Sequence, residues 1–227
     1  MTGAGLLRRY AAWSLDALVV AVPTLLLCRG RIEAGATRMA EQYDSIARTM
    51  AEAVLGLIDG GGTPDQLFGV LMQDGAMHGA VAGLTAAVLA TLWPPLLVFA
   101  LVSWLYFTAF EASSWQATPG KRLLGLRVCA ADGGRAGVWM AGLRQAAGVL
   151  SWLSLNLGHA WAAKPPERRA LHDHIAGARV VQADAAGSIP PWARLWLLLQ
   201  IAAGFAALVW LYRVANAASV RAFDALL

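Results

Sequence analysis

Apolar side chains gather in three long stretches of the chain. The first, Ala11 to Leu27, is interrupted only by Ser14, Asp16, Pro23 and Thr24. About 20 apolar residues cross a bilayer, so with its flanks this stretch predicts a first transmembrane helix. The second, Ala80 to Phe110, holds 31 positions without a charge. At about 1.5 Å per residue it outruns one hydrocarbon thickness, so its helix must tilt, protrude or bend. Pro94-Pro95 supplies a bend by removing donors and clashing with the preceding turn. Gly75, Gly79, Gly83 and Ala87 recur every four residues, a smooth stripe where another helix could pack closely. The third stretch runs from Leu195 to Tyr212.

Residues 136–163 are apolar enough to cross, but carry Arg144 and a polar middle at Ser151, Ser154, Asn156 and Gly158. Charge bias favours a dip over a crossing. If the segment returns to its own side, eleven Lys/Arg fall on the cytoplasmic side (Arg8, Arg9, Lys121, Arg122, Arg127, Arg135, Lys164, Arg168, Arg169, Arg179, Arg194) and six on the far side. If it crosses, the split is eight against nine, which the positive-inside rule disfavours. An internal echo agrees: Gly125 to Asp132 and Gly177 to Asp184 share the frame G-x-R-V-x-x-A-D. Two such β-prone segments can pair as a ribbon only on one side of a membrane. Between the first two spans, Ile32, Ala36, Met39, Tyr43, Ile46, Met50, Ala53 and Leu57 recur at spacings of three and four, an amphipathic helix with a narrow seam. That helix is expected to lie against the membrane or the other spans. It stops at Asp59-Gly60-Gly61-Gly62, and Thr63-Pro64-Asp65-Gln66 opens a second, shorter one. The pattern as a whole predicts an all-α, polytopic helical membrane protein with three transmembrane helices, one dipping or crossing segment and a short cytoplasmic β-ribbon.

Composition supports this class. Of 227 residues, 58% are hydrophobic and 14% charged, with mean hydropathy +0.54, where soluble domains carry about 25% charged residues. Trp13, Trp93, Trp115, Trp139, Trp161, Trp192 and Trp196 lie near the ends of apolar runs, where an amphipathic indole suits the headgroup level. The net charge of +4 comes from residues flanking apolar runs, so nucleic acid is excluded as a partner. Cys28 and Cys129 fall on opposite sides in this topology, and no disulfide is expected. Arg8 and Arg9 before an apolar stretch resemble a signal peptide. Asp16 interrupts the apolar core and no small-x-small site follows, so a retained helix with a cytoplasmic amino terminus is expected.

Charges at depth are costly and therefore paired or functional, which singles out Arg9, Asp16, Glu111, Arg144 and Asp173. Arg9 and Asp16 are two helical turns apart on one face. Three ordered motifs add to this: Arg9-x-x-Ala12-x-x-x-Asp16, then Thr118-Pro119-Gly120-Lys121-Arg122-Leu123-Leu124-Gly125-Leu126-Arg127-Val128, then Leu171-His172-Asp173-x-x-Ala176-Gly177-x-x-Val180-Val181. Together they resemble the RDD family, named for one Arg and two Asp that map to Arg9, Asp16 and Asp173. Leu143-Arg144 matches a further basic position, and Ala178 stands where the family often has Thr. The resemblance divides the chain into a first span (1–28), an extracytoplasmic insertion outside the family core (29–79), the rest of the core (80–183) and a final helix and tail (184–227). It implies a protein of the cell membrane, in a bacterium the inner membrane. Its activity is ill defined, with transport such as sodium/proton exchange suggested for members.

Other chemistry is weakly supported. Lys121-Arg122 fails as a nucleotide loop because Trp115 stands where that loop needs glycine. It is expected to be a basic membrane flank, in reach of anionic lipid headgroups. His172-Asp173-His174 lacks a second ligand cluster, and His78 and His159 look isolated, so neither a metal nor a cofactor is expected. No nucleophile–base arrangement shares a plausible site, and no enzyme is expected. Two readings of Arg9, Asp16, Arg144 and Asp173 remain: a structural ion network, which is favoured, and a proton or sodium pathway. The first suits a scaffold that binds other membrane proteins. The second needs a homo-oligomer, because so few spans cannot enclose a pathway.

Overall fold

The computed structural model describes residues 2–182 and 189–225. Three helices are long and apolar enough to cross a membrane: α1 (Leu6–Asp59), α3 (Gly75–Ala112) and α8 (Pro191–Asp224). Between the first two lies α2 (Leu67–Gln73), entered through a 3-10 turn at Pro64–Gln66. Short elements fill the rest: strand β1 (Thr2–Gly3), helix α4 (Pro119–Leu123), strand β2 (Leu126–Ala130), α5 (Val138–Leu153), α6 (Leu157–Ala160), α7 (Leu171–Ile175) and strand β3 (Ala178–Gln182). The fold is that of an all-α polytopic membrane protein carrying a small sheet.

α1 holds 54 residues, about 81 Å of helix. It runs through Cys28 and Arg29, where the sequence suggests a boundary between span and insertion. The composition changes there, but no residue breaks the backbone until Gly60. The stop is a glycine cap: Gly61 adopts φ +68°, and Gly62 N–H donates to Leu57 O at 2.8 Å.

Contacts divide the chain into two units, residues 1–26 with 97–200 and residues 27–96 with 201–227. In the second unit, Gly35 of α1 approaches the Thr91 side chain of α3, and Gly83 of α3 approaches Gln42 of α1. These contacts set the charged stretch of α1, from Arg29 to Asp44, beside Ala80–Thr91. Of the small-residue stripe, Gly83 makes the close approach, while Gly75 and Gly79 face open space. The packed seam of α1 also differs from the expected one. Ala36 and Met50 are exposed, and Ala47 and Ala51 pack on Ala222 and Phe223 of α8.

The first unit contains the sheet, ordered β1-β3-β2 and antiparallel throughout. The echoed segments do pair: Val128 faces Val180, Arg127 faces Val181 and Cys129 faces Arg179. Equivalent positions of the echo are thus related by a local two-fold axis through the Val128–Val180 pair. Ala183 and Asp184 of the second copy lie outside the described residues. The symmetry extends backward, since α4 and α7 are each five residues long, 52 positions apart, and each is followed by a glycine with positive φ (Gly125 +64°, Gly177 +65°). A left-handed turn there costs glycine nothing and aims the chain from helix into strand. Because β2 and β3 pair over their whole length, the segment between them leaves and re-enters on one side. α5, at 16 residues, is shorter than a span and turns back at Leu155 and Asn156, both with positive φ.

Burial in this unit reverses the soluble pattern. Leu101, Leu105, Leu150 and Leu153 are exposed, whereas Asp16, Glu111, Thr118 and Asp173 have no exposure at all. Their core neighbours are small: Ala4, Ala11, Ala12, Ala176 and Ala178, with Leu124, Leu126, Val128 and Val180 of the sheet. Lipid satisfies the outer leucines, so folding here is organised around the polar groups that lipid cannot satisfy.

Candidate functional site

The buried charges form two clusters on the face of the sheet-bearing unit. The first is built around Asp16. Its Oδ1 accepts from Tyr106 Oη at 2.9 Å and from Gly120 N–H at 2.8 Å, and its Oδ2 accepts from Thr118 Oγ1 at 2.5 Å. No cation lies within ion-pair distance of it among the described residues. The motif explains the arrangement. Thr118 is the N-cap of α4, its Oγ1 accepting from Lys121 N–H, and with Pro119 at the first position the first free N–H of that helix is that of Gly120, which donates to the carboxylate. Gly120 is required by proximity, because a Cβ there would collide with the backbone oxygen of Ala12 and stand 2.9 Å from the Asp16 carboxyl carbon. Ala12 and Asp16 of α1, with Thr118, Pro119 and Gly120, thus make one joint. Asp16 lies level with the α3–α4 connection, so irregular backbone at this depth is covered by protein.

The second cluster joins Arg9, Glu111, Lys121, Arg144 and Asp173. Arg9 Nη1 meets Asp173 Oδ2 at 2.6 Å, and its remaining nitrogens donate to the carbonyls of Ala4 and Arg168. Arg9 therefore pairs with Asp173 and not with Asp16, although both face the same side of α1. Arg144 Nε donates to Asp173 Oδ1 at 2.7 Å, and its Nη1 reaches both Glu111 oxygens at 2.8 and 3.0 Å. Glu111 also accepts from Lys121 Nζ at 2.5 Å and Gln145 Nε2 at 3.0 Å. Lys121, read from sequence as a membrane flank, is instead 7% exposed and also lies 4.8 Å over the Phe107 ring. Its neighbour Arg122 does behave as a flank, stacked 4.2 Å over Trp115. The chain of contacts Arg9–Asp173–Arg144–Glu111–Lys121 ties α1, α3, α4, α5 and α7 together. With Asp16, three cations balance three carboxylates.

Position 121 and position 173 are equivalent in the local two-fold, the third residue of α4 and of α7. One carries a cation and the other an anion: Lys121 reaches Glu111, which Arg144 also holds, and Asp173 reaches Arg144 itself. Asp173 additionally accepts from Ala170 N–H at 3.0 Å, capping its own helix. Burial works against charge on this carboxyl, but Arg144 and Arg9 outweigh it and hold its pKa well below the usual carboxylate range.

His172 sits beside these groups, its Nε2 3.2 Å from Arg144 Nη2. A guanidinium only donates, so Nε2 accepts and the ring proton is on Nδ1. Burial first, then Arg144, push this imidazole down to about 3, so it is neutral near pH 7. His159, which looked isolated in the sequence, packs against His172 with centroids 5.1 Å apart and the rings tilted by 57°, and its pKa is lowered by burial and by Arg144. Among the described residues no group of three metal-ligating side chains forms. Leu171 opens α7, and Gly125 and Gly177 supply the turns already described.

Glu111 is the group that sequence reading noticed as a buried ionisable residue but did not join to the others. Its signal was its place, the first charge after the long uncharged run and ten residues before Lys121.

The sequence pattern of the RDD family matches residues 3–177. An uncharacterized protein, YxaI of Bacillus subtilis (strain 168), is 36% identical over 88 residues, which cover 39% of this chain and 58% of that relative. The chain thus spans less than two thirds of that relative's length. No solved structure matches. The family match takes in Arg9, Asp16 and Asp173, with the helices and turns that position them. On that extent, the chain belongs to the RDD family.

Proposed function

We propose that the protein is a non-enzymatic, non-transporting membrane scaffold of the inner membrane, with its amino terminus and sheet on the cytoplasmic side. The observation that carries this reading is the dense internal hydrogen bonding of the buried carboxylates. Asp16, Glu111 and Asp173 each accept at least three hydrogen bonds from this chain's own groups. A carboxylate offers about four acceptor positions, so three or four internal donors leave at most one through which a sodium ion or proton could load and unload. An ion-paired clasp of this kind fixes five elements in one arrangement, the packing specificity for which buried charges are often retained. The partner-binding part of the proposal rests on α8. Every residue from Ile201 to Val214 is exposed in the lone chain, so the whole apolar circumference is open to a homo-oligomeric or other membrane-protein neighbour. Photo-crosslinking residues placed at Ile201, Phe205 and Leu208 in native membranes should give discrete protein adducts. Adducts with lipid alone would contradict scaffolding.

A further inference from the structure

Among the described residues, Arg8 has no counterpart to the pairing that neutralises Arg9. It is 8% exposed, and its Nε and Nη1 are buried without a hydrogen-bond partner. A long side chain in a helix leans over the turn that precedes it, which for Arg8 is Ala4 and Gly5. Arg168 approaches Gly5 from the loop before α7. Its Nη1 lies 3.8 Å from where a Gly5 side chain would begin and 3.4 Å from Gly3 O. Among the described residues neither guanidinium has a carboxylate within ion-pair distance. The amino end of α1 points into this corner, with no acidic residue in its first turn. The N–H groups of Leu6, Leu7 and Arg8 precede the first helical bond, which Arg9 N–H makes to Gly5 O. Two cations at the positive end of a helix repel each other and the helix dipole. Nothing within the described residues offsets that cost.

We infer that the amino end of α1, with the guanidiniums of Arg8 and Arg168, is a binding site for an anionic phosphate group. A planar guanidinium fork and free helix N–H groups are both suited to phosphate oxygens. Gly5 carries no side chain to fill the space, and the site stands at the end of a transmembrane helix, the level of lipid headgroups. The site is separate from the Arg9–Asp173–Arg144–Glu111–Lys121 clasp and independent of the scaffold reading. Its ligand chemistry can come from an anionic phospholipid or from free phosphate.

The test uses the full chain, delipidated in an uncharged detergent, with thermal melting followed against dioctanoyl phosphatidylglycerol, dioctanoyl phosphatidylcholine and inorganic phosphate at matched ionic strength. Phosphatidylglycerol should raise the melting temperature saturably and phosphatidylcholine much less, with half-saturation about tenfold higher in Arg8→Gln. Arg122→Gln, a change to a flanking arginine, should saturate like the wild type. Should Arg8→Gln fold poorly, the exposed Arg168→Gln reads the same site and should also weaken saturation. A shift produced equally by inorganic phosphate assigns the site to the free ion and keeps the chemistry. No shift with either anion, equal shifts with both lipids, or unchanged saturation in both arginine variants would overturn the inference.

Discussion

Glu111→Gln is the perturbation that bears hardest on the clasp. The substitution preserves shape and removes one charge from a residue with no exposure. Arg144 keeps Asp173 at 2.7 Å, but Lys121, whose side chain is 9% exposed, loses its ion-pair partner. Breaking a buried pair from one side costs about 3–5 kcal/mol, because the remaining charge is stranded. For a chain of this length that corresponds to a fall in melting temperature of roughly 6–20 °C. Removing the stranded charge as well should recover much of the loss. In Glu111→Gln/Lys121→Met the methionine keeps contact with Phe107, and the glutamine oxygen still accepts from Arg144. Melting of wild type, both single variants and the double variant in one detergent gives the coupling. We expect the double variant to be more stable than Glu111→Gln alone. Effects that add to within about 0.5 kcal/mol would refute the pairing.

Three further outcomes follow from other parts of the structure. His172 has a folded pKa of about 3, below an unfolded value of about 6.5, so the unfolded chain takes up its proton first. Its contribution is fully present above about pH 6.5 and falls by about 1.4 kcal/mol per unit as pH drops toward 3, so His172→Gln should flatten the loss of melting temperature between pH 6.5 and 5. Gly120→Ala should destabilise by more than about 2 kcal/mol, because its Cβ meets the backbone of α1, while Gly79→Ala, which faces open space, should be neutral or better in the same melt. Cysteines replacing Arg122 and Arg169 should be labelled by an impermeant thiol reagent from the same side, and labelling from opposite sides would contradict the dip of residues 136–163.

The spans and the ribbon were legible because each is a local pattern: apolar runs of membrane length and an echoed β-prone frame. The partners of the charges were not. Periodicity places Arg9 and Asp16 on one face, yet seven residues separate them by about 10 Å along the axis. Arg9 leans toward the amino end, where it meets Asp173 and the loop before α7, and Asp16 is met by neutral donors instead. Neither contact has a signature at fixed spacing, since 164 positions separate Arg9 from Asp173 and 102 separate Asp16 from Thr118. Lys121 looked like a flank because basic residues after an apolar run usually are. Its burial depends on Glu111, brought within reach by the tight turn between α3 and α4. The continuity of α1 was hidden for the opposite reason. A change from apolar to amphipathic composition suggests a boundary, although helix hydrogen bonding is indifferent to it.

The most direct measurement is sodium flux driven by a pH gradient in proteoliposomes, with wild type beside Asp16→Asn and each protein's melting temperature determined in parallel. With Asp16, Glu111 and Asp173 each held by three or four donors of the chain itself, the account predicts wild-type flux no greater than that of empty liposomes. It also predicts a lower melting temperature for Asp16→Asn, since the amide accepts less strongly from Tyr106, Thr118 and Gly120. Wild-type flux well above that background, abolished by Asp16→Asn at an unchanged melting temperature, would contradict it.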